Sequence, residues 1–250
     1  MTGVGGLSAT LLAGSTMLLT ALTVATARRP PAPIPSQAEY LRRWSAVHGG
    51  YDPASSIFVS GWLRVAFVVA RPLAGRGVQP DVVTAWGLLV SVAGIPLAAP
   101  GTRWPLLGGA AVVLAGLVDS LDGTVAVLTD RATRFGYVLD SLVDRLSDVA
   151  YLFALWRLGA GPGVCVAAGG ALGLLEYTRA RAGNAGMGEI GVATVGERGA
   201  RIPVVAATLG VAGLFPGQAG QLATLGAVIT LALSTVGLGQ LLVVVRRTLR

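Results

Sequence analysis

The stretch Asp119–Asp144, DSLDGTVAVLTDRATRFGYVLDSLVD, decides the fold because it sets four aspartates, Asp119, Asp122, Asp140 and Asp144, within apolar runs, with Asp130 falling between the runs. A fifth, Asp148, follows one helical turn later. Asp119 and Asp122 stand three residues apart, and Asp140, Asp144 and Asp148 follow at steps of four, so each set shares one helical face. The flanking apolar runs, Pro105–Leu128 and Phe135–Leu158, are each long enough to span a bilayer, which takes roughly 20 residues. An aspartate at the centre of such a span costs on the order of 2.5–3.5 kcal/mol, so intramembrane acids are functional or paired. Two carboxylate faces on consecutive antiparallel helices are therefore expected.

The rest of the chain agrees with a membrane setting. Of 250 residues 53% are hydrophobic and 12% charged, with mean hydropathy +0.70; soluble domains carry about 25% charge. A soluble globule and a disordered tail are both excluded. The single cysteine, Cys165, excludes an intrachain disulfide and a cysteine-cluster zinc site. All 19 basic residues are arginine, giving a net charge of +7. They lie between apolar stretches and not along one polar surface, so no nucleic-acid partner is expected.

Seven apolar segments are candidate spans: Val4–Ala27, Val82–Ala99, Pro105–Leu128, Phe135–Leu158, Gly163–Ala182, Ile202–Phe215 and Gln221–Val245. The fold expected is an all-α polytopic membrane bundle, a six-helix core with one extra N-terminal helix. Three regions follow: residues 1–34, the N-terminal helix and a Pro-rich linker; 35–79, a cytoplasmic juxtamembrane segment; and 80–250, the six-helix domain. Within the middle region, Ser36–His48 and Ile57–Leu73 read as helices lying at the interface. The Gly-rich connection Gly183–Arg201 lacks the G-K-[ST] ending of a phosphate loop. With the long connections inside, sixteen arginines fall on the inner side, Arg103 and Arg157 outside and Arg145 within a span. The positive-inside bias thus places both long connections and the C-terminus in the cytoplasm of a multi-pass plasma-membrane protein. Val4–Ala27 has its basic residues after it, the reverse of a signal peptide. His48 reads as a surface residue, Cys165 as a small apolar one, and Trp104 and Trp156 as interfacial anchors.

Clustered carboxylates repel unless a cation lies between them, and all-oxygen ligation favours Mg²⁺ or Mn²⁺ over zinc. Pairing with arginine is the competing account, best for Asp148, three residues after Arg145. Gly123, Ala126 and Gly136 share the acidic faces, where small side chains admit a ligand or a neighbouring helix.

Asp119-x2-Asp122-Gly123-x2-Ala126-Val127-x8-Gly136-x3-Asp140-x3-Asp144 resembles the motif of the CDP-alcohol phosphatidyltransferase family, D-x2-D-G-x2-A-R-x8-G-x3-D-x3-D. Seven of eight fixed positions match over 26 residues, and the eighth, an arginine, is Val127 here. Pro80-Asp81-Val82-Val83-Thr84 is similar to the P-x-x-x-T element before the family's first membrane helix. Asp144-Arg145-Leu146-Ser147-Asp148, Glu176–Ala182 and Glu197-Arg198 are similar to the phosphatidylinositol-phosphate synthase branch. The resemblance covers roughly Val78–Val245.

That resemblance implies a dimeric membrane enzyme, metal-dependent, that moves a phosphatidyl group from CDP-diacylglycerol to an alcohol and releases CMP. Carried over, Asp119, Asp122, Asp140 and Asp144 hold the metal, and Asp144 accepts the alcohol proton. Thr84, Asp119, Gly123, Ala126 and Gly136 lie against the nucleotide. Arg131 or Arg134 stands in for the arginine absent at Val127. Arg179, Arg181, Arg198 and Arg201 suit an acceptor phosphate, as in inositol 1-phosphate or glycerol 3-phosphate. Positive-inside decoration also accounts for any one of these arginines. A non-catalytic or altered-donor paralogue and a cation-coupled carrier are the other readings; no internal repeat of the transporter kind is evident.

Overall fold

A computed structural model describes residues 2–28, 33–47, 49–187 and 194–249, with residues 2–12 as backbone only. His48, Arg29, Arg250 and the centre of the Gly-rich connection lie outside the described residues. Nine α-helices and no strand occur among the described residues: α1 (Thr2–Thr26), α2 (Gln37–Val47), α3 (Ile57–Gly75), α4 (Pro80–Leu97), α5 (Pro105–Thr129), α6 (Arg134–Leu158), α7 (Pro162–Asn184), α8 (Arg198–Leu214) and α9 (Ala219–Thr248). α4, α5 and α7 begin at proline, whose fixed φ suits a first turn where its missing N–H costs nothing. All seven candidate spans are helical.

By length and composition, Ile57–Gly75, Pro80–Leu97, Pro105–Thr129 and Pro216–Thr248 can each cross a membrane. The first was expected at the interface. α6 and α7 are long enough but carry the charges of the acidic and basic faces, and α8 has only 17 residues. Large apolar side chains remain exposed along these helices, including Val68, Val113, Leu142, Phe153, Val166 and Leu225. In a bilayer that surface meets lipid.

The chain divides into two compact units, residues 1–89 with 115–144 and residues 90–114 with 145–250. The core of the first joins α2, α3, α4 and α5. Leu63, Ala66, Phe67, Ala70 and Ala74 form one face of α3 and pack with Tyr40, Val83, Leu121, Val125 and Leu128. Tyr40 and Phe67 lie 5.6 Å apart at their ring centroids. The Tyr40 hydroxyl bonds Thr124 at 3.1 Å, and burial pushes its phenol above the usual range.

The second unit packs through small residues. Ala212, Ala219, Ala223 and Ala227 meet Tyr151, Leu155, Leu158 and Leu209. A Cβ on Gly109 would stand 2.7 Å from the Ala206 carbonyl, and one on Gly213 2.6 Å from Leu106. Such close backbone approach is how membrane helices associate when water gives no drive.

Candidate active site

The acidic cluster belongs wholly to the first unit. Asp119 on α5 and Asp140 and Asp144 on α6, all half-buried, each offer a carboxylate oxygen within 4.8 Å of the others. Asp122 is placed differently. It is buried, accepts the Thr84 hydroxyl at 2.6 Å and its own neighbour's Gly123 N–H at 2.5 Å. Thr84 in turn stands on the first turns of α4, where its hydroxyl also meets the Pro80 carbonyl at 3.2 Å.

Beside these acids a cavity of about 210 Å³ is lined by Thr84, Asp122, Gly123, Ala126, Gly136 and Asp140, with Arg131 at its edge. The two glycines do different work. A Cβ on Gly123 would meet nothing within 4 Å, so that side of α5 is open. On Gly136 it would stand 3.1 Å from Thr133 Oγ1 and 3.2 Å from Asp81 Oδ1, so its smallness serves packing. Thr133 caps α6 by accepting the Gly136 N–H at 2.9 Å.

Arg131 reaches the cavity by a turn. α5 ends at Thr129, so Arg131 does not lie on a continuation of that helix. Asp130 takes the left-handed conformation (φ 53°), and the Arg131 N–H bonds back to the Ala126 carbonyl at 3.0 Å. This six-to-one closure satisfies an orphan carbonyl of the helix end and folds Arg131 back over the turn that carries Ala126 and Val127. Val127 itself packs against the apolar core of the first unit. Arg134 is not among the residues lining the cavity.

The basic residues belong to the second unit, where they meet acids. Arg145 bridges Asp148 (3.3 Å) and Glu176 (3.0 Å), and Arg201 approaches the same two at 3.6 and 3.3 Å. Asp148 is thus ion-paired. Arg179 reaches Glu176 at 3.7 Å and Glu197 at 2.5 Å, and Thr194 donates to that Glu197 through its N–H and hydroxyl. Arg201 is buried, and the space beside it, about 10 Å³, is too small for a phosphate. Arg198 is half-buried and Arg181 exposed.

Residues 78–241 match the family model described as CDP-alcohol phosphatidyltransferase. The chain belongs to that family. It is 33% identical over 161 residues to a phosphatidylinositol phosphate synthase of Streptomyces avermitilis, covering 60% of this chain and 64% of that protein. Its fold matches the crystal structure of Mycobacterium tuberculosis phosphatidylinositol phosphate synthase with CDP-DAG bound, with TM-score 0.60 and 30% identity over 73% of this chain and 94% of that one. The same mycobacterial protein in complex with manganese and citrate matches with TM-score 0.60 and 30% identity, covering 72% of this chain and 88% of that one. The chain therefore spans just under two thirds of the length of its Streptomyces relative.

Membership makes this a membrane protein, and the donor set fits the family's metal. Three carboxylates on two rigid helices, with no nitrogen or sulfur ligand among them, suit a hard divalent ion, Mg²⁺ or Mn²⁺. Pro80, Asp81, Ala132, Thr133 and Tyr137 also line the cavity and were not singled out as site residues. Thr133 had a readable signal, since Thr three residues before Gly136 at a helix start is an N-cap pattern. Asp81 had only its place within the P-x-x-x-T element.

Proposed function

We propose that the chain transfers a phosphatidyl group from CDP-diacylglycerol to an inositol phosphate and releases CMP. The observation that carries this reading is the meeting of Asp119, Asp140 and Asp144 within 4.8 Å, next to a cavity whose wall at Gly123 is open. The names of the relatives favour inositol phosphate over glycerol 3-phosphate as acceptor. In this reading residues 80–250 are the catalytic domain, residues 35–79 a juxtamembrane segment and residues 1–34 an added helix and linker. The protein acts as a homodimer in the plasma membrane with its site toward the cytoplasm.

The divalent ion, when bound, neutralises charge on the diphosphate and the departing CMP oxygen. Asp119, Asp140 and Asp144 would hold it, and Asp122, fixed by Thr84 and by its Gly123 N–H bond and lining the cavity, would complete the ligand set. Thr84, Gly123, Ala126 and Gly136 seat the CDP moiety, Asp119 lies against it, and Arg131 meets its diphosphate. The acceptor hydroxyl forms the new bond to the phosphorus bearing diacylglycerol as the bond to CMP breaks, and its proton passes to the Asp144 carboxylate. Of the four arginines read for the acceptor phosphate, Arg181 and Arg198 take it, while Arg179 and Arg201 are engaged by Glu176, Glu197 and Asp148.

The test is CMP release from CDP-diacylglycerol by protein in detergent with Mg²⁺ or Mn²⁺ and a panel of inositol 1-phosphate, glycerol 3-phosphate, inositol and serine. Release is expected with inositol 1-phosphate and is abolished in Asp144→Asn. Arg181→Ala and Arg198→Ala each raise the acceptor KM about tenfold and leave the donor KM unchanged. Absence of acceptor-dependent release in folded, metal-loaded protein overturns the transferase reading; an unchanged acceptor KM overturns the arginine assignment.

A further inference from the structure

The end of α1 lies outside residues 78–241, the part matched by the family model, yet hydrogen bonds tie it to the donor cavity. Arg131 Nη2 donates to the Arg28 carbonyl at 3.0 Å. The Arg28 N–H donates to the Gly77 carbonyl at 2.9 Å. Gln79 Nε2 donates to the Thr26 carbonyl at 3.0 Å, and Trp86 Nε1 to the Thr23 hydroxyl at 3.1 Å. Gly77 sits at φ +76°, and a Cβ there would collide with the Arg28 carbonyl, so the chain is seated against it without space between. All these residues belong to the first unit.

We propose that the end of α1 is a working part of the donor site, a positioning element that sets the Arg131 guanidinium over the cavity to receive the diphosphate of a cytidine-diphosphate lipid. The inference rests on the transferase reading above. Three observations converge on it. Val127, where the family motif carries arginine, is committed to the apolar core. The left-handed turn at Asp130 returns a cation to the same end of α5. The Arg28 carbonyl, two residues past the end of α1, accepts the Arg131 guanidinium while the Arg28 N–H is itself held by the Gly77 carbonyl. A guanidinium carries five donors in a fixed plane, so one bond to a carbonyl orients the group and leaves it able to meet a phosphate.

The prediction is read from coupling. Gln79→Ala combined with Trp86→Phe removes two bonds that seat α1 without touching the cavity's polar groups. In the otherwise unchanged chain this pair should raise the KM for CDP-diacylglycerol about fivefold to tenfold with kcat nearly constant. In an Arg131→Ala background, itself weakened about tenfold, the same pair should add nothing. Equilibrium binding of CDP-diacylglycerol is measured alongside turnover. Loss of turnover with intact, coupled binding overturns the transferase reading alone. Equal effects of the pair in both backgrounds, or no effect on donor binding in either, overturn the role of α1.

Discussion

At the scale of single residues, the cavity separates positions that serve packing from positions that face an occupant. Gly123 is the clearest of these because a methyl group there would touch no protein atom. Gly123→Ala should therefore leave thermal stability unchanged or raise it slightly, since alanine is favoured by about 1 kcal/mol within a helix. Donor affinity should nevertheless fall about tenfold, measured as the KM for CDP-diacylglycerol. A fall in melting temperature with unaltered KM would reassign Gly123 to packing. Gly136 offers no such separation, because Asp81 and Thr133 crowd it. The aspartates were legible because carboxylates are costly in apolar spans. Sequence spacing treated Asp122 as one of four equivalent acids, whereas its bond to Thr84 depends on α4 lying beside α5, which no periodicity encodes.

At the scale of elements, helix starts were more readable than helix ends. Proline marks the beginnings of α4, α5 and α7, but the stop of α5 rests on Asp130 adopting a conformation that aspartate tolerates and most residues avoid. Asp130→Gly should keep both stability and donor KM. Asp130→Val should cost about 1–2 kcal/mol, seen as a lower melting temperature, and weaken donor binding by displacing Arg131. Equal KM values for the two variants would show that the turn does not set Arg131. The face of α3 was also hidden: its apolar run was visible, but which stripe meets Tyr40 is decided by the partner helices.

At the scale of the whole molecule, the arginine distribution sets the expected sidedness of the chain. The arginine distribution predicts that, in a Cys165→Ala background, a single cysteine at Arg103→Cys is labelled by a membrane-impermeant maleimide in intact cells. One at Ala46→Cys should be labelled only after permeabilisation; the reverse pattern would invert the topology. The pairing of those arginines was less legible. The Arg145–Asp148 and Arg179–Glu176 steps each lie within one helix, while the bonds of Arg179 to Glu197 and of Arg201 to Glu176 and Asp148 join residues up to 53 positions apart. Positive-inside statistics count charges by loop and are blind to such partners.

The reversing turn at Asp130 bears on how chains of this kind are judged from alignments. A motif written as a string measures distance along the backbone, and a left-handed residue breaks the proportion between that distance and distance in space. A column holding valine then scores as a lost function although the cation returns four residues later. Homologues with an apolar residue in that column are candidates for full activity wherever Asp, Asn or Gly precedes an arginine just past the helix end. Counting them as degenerate would discard such candidates on the strength of a single column.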